Sequence, residues 1–275
     1  MSIATTPHFV WDVSPEIFRW GWLAPRWYGL LFGLGFFVGF IIVGQMFQRE
    51  GKPERDLDVL LMYLVGGTII GARLGHVLFY HPTYYLLRPI EILKVWEGGL
   101  ASHGGALGVL AALGLYARRR DDQPYLWLLD RIAVPTALVG GLIRLGNFFN
   151  AEILGRPADV AWAVVFARID EVPRHPVQLY ESLGYVLIFA GLLAIYRRRG
   201  PALPHGLLSG LFLTSVFSVR IALEPFKVPQ AAFADQLPLF SMGQWLSLPF
   251  VAVGLALVAR ALRGTLYTRD RAADE

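Results

Sequence analysis

Cysteine is absent from all 275 residues, and charged side chains make up only 17% of them. The first absence excludes disulfides, thiolate metal sites and a cysteine nucleophile on the chain itself. Any thiol chemistry here must use a thiol brought by a substrate. The second absence leaves too few polar groups to cover a soluble globule of this size. No GxSxG element, HExxH pair, carboxylate-rich metal motif or P-loop occurs, which sets aside several common hydrolase and nucleotide-driven chemistries. Ser102 and His103 are adjacent, so they cannot face one another as a helical dyad. No Pro/Ser-rich linker and no internal repeat divides the chain, and one domain over 1–275 is the economical reading.

What is present is apolar: 55% of the residues are hydrophobic, and the mean hydropathy is +0.48. Residues 29–47 and 241–259 carry no formal charge. As helices, each is long enough to cross a hydrocarbon core of about 30 Å. Weaker spans near 58–80, 99–117, 131–149, 178–196 and 205–223 lead to an expected all-α polytopic membrane protein with seven transmembrane helices. Loop charge orients it, because short cytoplasmic loops are enriched in Lys and Arg. Arg49, Lys52 and Arg55 follow the first span, Arg118, Arg119 and Arg120 the third, Arg197, Arg198 and Arg199 the fifth, and Arg260, Arg263, Arg269 and Arg271 the seventh. The N-terminus is therefore expected outside and the C-terminus in the cytoplasm. Residues 1–28 read as a retained interfacial arm with Trp11, Trp20, Trp22, Trp27 and Tyr28, 150–177 as the main extracytoplasmic loop, and 264–275 as a cytoplasmic tail. Within that loop, WAVVF (162–166) alternates enough for a short strand.

Polar residues inside such spans are costly. The stretch RLGNFFNAEILGR (144–156) places Arg144, Asn147, Asn150, Glu152 and Arg156 at the end of the fourth span. A central Arg costs about 2.5–3.5 kcal/mol on insertion scales, so an intramembrane ion marks a functional site by default. Guanidinium binds phosphate bidentately and stays charged when largely buried, which points to an anionic headgroup. An internal pair of Arg144 with Glu152 is the alternative. Arg220, near the outer end of the sixth span, is a second guanidinium, with Glu224 at i,i+4 as an internal partner before Pro225 stops the helix. One arginine would hold a phosphate while the other stabilises charge developing on it.

His103, beside the glycine-rich break WEGGLASHGG (96–105), is the general-base candidate by residue type. Arg73 and His76 share a helix face, with Gly71 and Gly75 as a small-residue approach site, and both packing and substrate contact remain open for them. Gln178 and Glu181, three apart, are expected to bond neighbouring arginines. His175, between two prolines, reads as a loop feature.

The motifs RWYGL (26–30), GARLGHVLFY (71–80), WEGGLASHGG (96–105), GLIRLGNFFNAEILGR (141–156), PRHPVQLYE (173–181) and SMGQWLS (241–247) run nearly end to end through the chain. In these the chain resembles the prolipoprotein diacylglyceryl transferases of the bacterial cytoplasmic (inner) membrane. The resemblance implies transfer of the diacylglyceryl group of phosphatidylglycerol to the lipobox cysteine of a prolipoprotein signal peptide, releasing glycerol 1-phosphate, as the first step of lipoprotein maturation. It implies a catalytic set of His103, Arg144 and Arg220, and lipid contacts from Arg144, Asn147, Glu152 and Tyr28. The scheme works among membrane lipids and requires no metal, soluble cofactor or nucleic acid.

The chain departs from the family pattern at three places. Ala151 stands where an Asn-Gly-Glu run is usual, Val216 where a tyrosine is common, and Lys227, Val228, Pro229 and Gln230 replace a segment like Arg-Glu-Pro-Asp. Lysine is not equivalent to arginine in a bidentate site. The rival readings are a transporter or lipid-flipping protein, expected to show repeat symmetry and midplane polar sites, and another lipid-headgroup transferase with the same phosphate clamp.

Overall fold

A computed structural model describes residues 8–21, 23–228 and 241–273, with side chains described as far as residue 264. The expectations for Trp22, for Pro229 and Gln230, and for the side chains of Arg269 and Arg271 lie outside the described residues. The chain is mostly helical. Its helices are α1 (Trp27–Arg49), α2 (Glu54–Phe79), α3 (Pro82–Leu87), α4 (Ser102–Ala117), α5 (Tyr125–Asn150), α6 (Val177–Arg199), α7 (Leu207–Leu223) and α8 (Met242–Ala273). Among the described residues, six stretches are long and apolar enough to cross a membrane: Trp27–Arg49, Glu54–Phe79, Tyr125–Asn150, Val177–Ala202, Leu207–Phe226 and Met242–Gly264. The remaining expected crossing, near 99–117, is covered by α4, whose 16 residues fall short of that length. At 1.5 Å per residue α4 reaches about 24 Å, because the glycine-rich segment before it is not helical.

The residues divide into two compact units, one of residues 43–129 and one of residues 1–42 with 130–275, with boundaries inside α1 and α5. In the unit of residues 43–129, glycines bring α2 and α4 into backbone contact. A Cβ on Gly71 would meet the Gly104 carbonyl and lie 2.7 Å from Gly108 Cα, and one on Gly75 would lie 2.7 Å from Gly104 Cα. This is small-residue packing of the kind expected at Gly71 and Gly75. A polar knot closes the other end. Asp56 accepts from Gln123 Nε2 at 2.6 Å and pairs with Arg120 Nη2 at 2.8 Å, while Tyr116 donates to the Gln123 side-chain oxygen at 2.9 Å.

In the other unit, the first half of α1 lies on α5: a Cβ on Gly39 would come within 3.1 Å of Pro135, and one on Gly35 within 3.2 Å of Val139. The start of α7 is held by Asp130 of α5, whose buried carboxylate accepts from the Gly206 and Ser209 backbone amides at 2.7 and 2.8 Å and from the Ser209 hydroxyl at 2.8 Å. A carboxylate at a helix N-terminus satisfies donors that the helix cannot pair itself.

A three-stranded sheet completes this unit. Strand β1 (Phe9–Trp11) runs parallel to β2 (Val164–Phe166), with Val10 opposite Val165, and β2 runs antiparallel to β3 (Pro173–Arg174), with Val164 opposite Arg174. Phe148, Ala151, Val164 and Phe166 form a small core under the sheet, with Trp11, Leu154 and Leu179 packed against it. The sheet thus braces the end of α5 and the beginning of α6. Of the aromatics expected in the interfacial arm, Trp20 is 80% exposed. Trp11 and Trp27 pack on the end of α5, with ring centroids 4.5 Å from Phe148 and 5.1 Å from Phe149 respectively.

Candidate active site

The site grows from the way α5 ends. Ala151 adopts a left-handed φ of 54°, the Glu152 amide donates to the Asn147 carbonyl at 2.9 Å, and the Ala151 amide donates to the Phe148 carbonyl at 3.1 Å. These two bonds and the left-handed residue form a Schellman termination, a position usually held by glycine. Alanine there carries a cost of about 1–2 kcal/mol from its Cβ. Ile153, at φ 55°, repeats the left-handed turn two residues on. A double reversal of this kind folds the chain back sharply, so Glu152 returns to the helix it has just left. Its carboxylate accepts from Asn147 Nδ2 and from Asn150 Nδ2, each at 3.1 Å, and its carbonyl accepts from Gln178 Nε2 at 2.7 Å. Glu152 is therefore engaged by amides and is not the partner of Arg144, as the internal-pair alternative required.

That partner is Glu181, fully buried on α6. Arg144 Nε lies 3.1 Å from Glu181 Oε2, and Lys227 Nζ lies 2.9 Å from Glu181 Oε1 and 3.4 Å from Glu224 Oε2. Glu181 meets an arginine, as expected, whereas Gln178 bonds the Glu152 carbonyl instead, because its backbone faces the α5 turn. Lys227, at the position where the family pattern differs, works here as a point charge between two carboxylates, a geometry an ammonium fills well. Its backbone carbonyl accepts from Arg156 Nε at 3.0 Å, so Arg156 ties the loop after α5 to the segment after α7. Glu224 is also bonded by Ser241 Oγ at 3.1 Å, and Gly243 packs directly on its carboxylate. The i,i+4 partner expected for Arg220 is thus turned towards Lys227 and Ser241.

Arg220 closes the last turn of α7, and its Nε is buried with no hydrogen-bond partner among the described residues. Tyr185 of α6 lies within electrostatic reach of Arg220, Arg144 and Glu181. Tyr28, at the start of α1, lies within electrostatic reach of both Glu152 and Arg144, and its ring covers Gly146, where a Cβ would fall 2.8 Å from the ring. The glycine between Arg144 and Asn147 therefore makes room for the tyrosine. Five expected site residues, Tyr28, Arg144, Asn147, Glu152 and Arg220, are joined in this way within one unit.

His103 belongs to the unit of residues 43–129. It sits exposed in the first turn of α4, its ring centroid 5.4 Å from Phe79 and 6.1 Å from Tyr80. Arg73 and His76 lie nearby in the sequence of motifs but serve differently. Arg73 donates to the carbonyls of Ile92 at 2.9 Å and Gly98 at 2.6 Å, and also to that of Glu91, with its guanidinium 5.1 Å from the Tyr85 ring. Gly98 and Gly99 have φ values of 89° and 70°. The glycine-rich break is therefore a loop pinned by an arginine, and the packing reading of Arg73 accounts for its donors.

His175 bonds the Tyr180 hydroxyl at 3.2 Å and packs against Phe226 at 5.0 Å, in keeping with a loop role. In the same loop Arg174 holds the Asp170 carboxyl below the usual carboxylate range. Sequence reasoning missed Lys227 and Tyr185 as members of the site. The signal for Tyr185 is its spacing: it follows Glu181 by four and so shares that helix face.

A family model described as prolipoprotein diacylglyceryl transferase matches residues 15–260. The chain is 52% identical over 259 residues to the phosphatidylglycerol–prolipoprotein diacylglyceryl transferase of Chloroherpeton thalassium, covering 94% of this chain and 96% of the relative. It is 51% identical over 248 residues to the protein of that name from Tolumonas auensis, covering 90% and 95%, and 43% identical over 277 residues to that from Porphyromonas gingivalis, covering 95% and 98%.

Proposed function

The chain belongs to the prolipoprotein diacylglyceryl transferase family, and from that premise we infer that it transfers the diacylglyceryl group of phosphatidylglycerol to the lipobox cysteine of a bacterial prolipoprotein. In this reaction the cysteine sulfur forms a bond to C3 of the diacylglyceryl group as the C3–O bond to phosphate breaks. The bonding pair leaves with the phosphate, and the other product is glycerol 1-phosphate. The absence of cysteine from the chain suits a reaction whose thiol comes from the substrate.

The observation that carries the assignment of roles is the environment of Arg144. It forms an ion pair with one buried carboxylate, its Nε 3.1 Å from Glu181 Oε2, and no hydrogen bond engages its guanidinium among the described residues. Its terminal nitrogens are thereby left for the donor phosphate, with Asn147 one turn on as a hydrogen-bond partner. Arg220 stabilises charge gathering on the departing phosphate. His103 takes the thiol proton: a cysteine thiol of pKa about 8.5 needs a base near neutrality, and an exposed imidazole in the first turn of α4 supplies one. Tyr28 and Glu152 line the lipid headgroup. We further assign seven crossings, α4 being the short one, with the N-terminus outside and a single integral transferase domain in the cytoplasmic membrane. Both substrates are membrane-borne, so entry is lateral, between helices.

The decisive assay incubates the purified chain in detergent with phosphatidylglycerol and a lipobox peptide. A diacylglyceryl thioether on the peptide cysteine is the expected product, whereas lipid movement between leaflets without covalent product would establish a carrier. His103→Gln should lower the turnover with saturating peptide at neutral pH, and an unchanged turnover would remove the base role.

A further inference from the structure

His103, the proposed thiol base, stands exposed in the first turn of α4, and among the described residues neither of its ring nitrogens has a hydrogen-bond partner. An imidazole that works as a base ordinarily has its ring set by a hydrogen bond at the nitrogen that does not react. Here aromatic rings take that place. Phe79, the last residue of α2, meets the His103 ring edge-on with centroids 5.4 Å apart and planes at 72°, and Tyr80, which caps the helix, lies over it at 6.1 Å and 29°. Both separations fall in the range where aromatic pairs attract. The backbone is fixed as well. The Ala101 amide donates to the Ala72 carbonyl at 2.9 Å and Gly104 packs on Gly75, so the start of α4 is docked on α2 on both sides of His103 in the chain.

Tyr80 is itself held. Its ring stacks with that of His76, one turn earlier on α2, with centroids 5.3 Å apart and planes at 15°. His76 in turn packs on Gly99, where a Cβ would fall 2.8 Å from the imidazole and from Arg73 Nη1, and its ring meets Tyr85 edge-on at 6.0 Å. A chain of contacts thus runs from the loop that Arg73 pins, through His76 and Tyr80, to His103. The titratable and charged groups behind the bracket are His76, His81, whose ring lies 5.6 Å from that of His76, and Arg73. Resting on the reading of His103 as the thiol base of a diacylglyceryl transferase, we propose that Tyr80 is the positioning residue for that base: its ring, held by His76, keeps the imidazole in the orientation that takes the proton from the substrate thiol. The ring acts and the hydroxyl has no part. Without the ring the imidazole is free to turn, and a base out of reach of its proton loses rate.

The test compares single-turnover rate constants of the full-length protein in nanodiscs containing phosphatidylglycerol, saturated with a lipobox peptide that carries either cysteine or selenocysteine. A selenol is ionised at neutral pH and needs no base, whereas a thiol of pKa about 8.5 does. Tyr80→Leu should slow transfer to the cysteine peptide by at least about tenfold and transfer to the selenocysteine peptide by less than about twofold. The comparison of the two peptides does not depend on the fraction of enzyme that is folded. Tyr80→Phe should match the wild type with both. Equal slowing of both peptides by Tyr80→Leu, slowing of neither, or a Tyr80→Phe as impaired as Tyr80→Leu overturns the positioning role. A His103→Gln that does not slow the cysteine peptide selectively overturns instead the base reading beneath it, and transfer to neither peptide by the wild type overturns the transferase reading.

Discussion

Two arginines inside apolar helices, Arg73 on α2 and Arg144 on α5, meet opposite surroundings. Arg73 is 5% exposed and spends its guanidinium on backbone carbonyls of the loop after α3, with the Tyr85 ring beneath it. Arg144 touches one carboxylate through one nitrogen. The same side chain, placed in two spans, is a clamp for backbone in one and keeps its terminal donors unspent in the other. Burial of an arginine is thus a weak guide to function by itself. What separates the two is whether the donors are consumed, a property of the neighbours and not of the residue.

The sharpest way to break the contrast is to remove each guanidinium. Arg144→Ala should lower kcat/KM for phosphatidylglycerol by at least about 10²-fold, since it deletes a positioned donor to the reacting phosphate. Retained activity in a purified assay would mean that phosphate is held elsewhere. Glu181→Gln tests the single carboxylate behind Arg144. It leaves Arg144 without its buried counter-charge and Lys227 with Glu224 alone, and should destabilise the protein by about 3–5 kcal/mol, read as a lower midpoint of unfolding in detergent.

Arg73→Lys should cost less, about 2–3 kcal/mol, through carbonyls left without donors. Its KM for the lipid should match the wild type, and a raised KM would make Arg73 a substrate contact after all. The smallest effect concerns the loop between α5 and α6. The Asp170 carboxyl is held low by its bond to Arg174, so its folded pKa lies below its unfolded one. The stabilisation is complete above the unfolded value and is lost as pH falls through the folded value. Comparing Asp170→Asn with the wild type should show a small difference at neutral pH that disappears in acid, and a gap that widened in acid would contradict the pairing.

Much of this was legible in the chain. Uncharged runs marked helices long enough to cross a membrane, and Gly71 and Gly75 announced the close approach of α2 to a neighbour. The run from Arg144 to Glu152 stood out because charge and amides are expensive there. Glu181 was visible as a partner for arginine, since it sits in an apolar helix. Three features were not visible. Lysine at 227 looked like a defect until its two carboxylates were seen, 2.9 and 3.4 Å away. Gln178 was expected on an arginine and bonds a carbonyl. Trp11 and Trp27 pack on phenylalanines at the end of α5, contacts that their places in the arm do not announce. Apart from Glu224, the partners lie far along the chain.

The sequence by itself determined that the protein lives among lipids, that its chemistry uses no thiol of its own, and that Arg144 and its neighbours are costly where they stand. These follow from transfer costs, which each residue carries wherever it is placed. Only the tertiary structure decided that Arg144 leans on Glu181, that Ala151 turns left-handed to bring Glu152 back onto Asn147, and that Arg73 is spent on backbone. Those outcomes depend on which donors and acceptors packing brings within about 3 Å of each other, and spacing along the chain does not encode that distance.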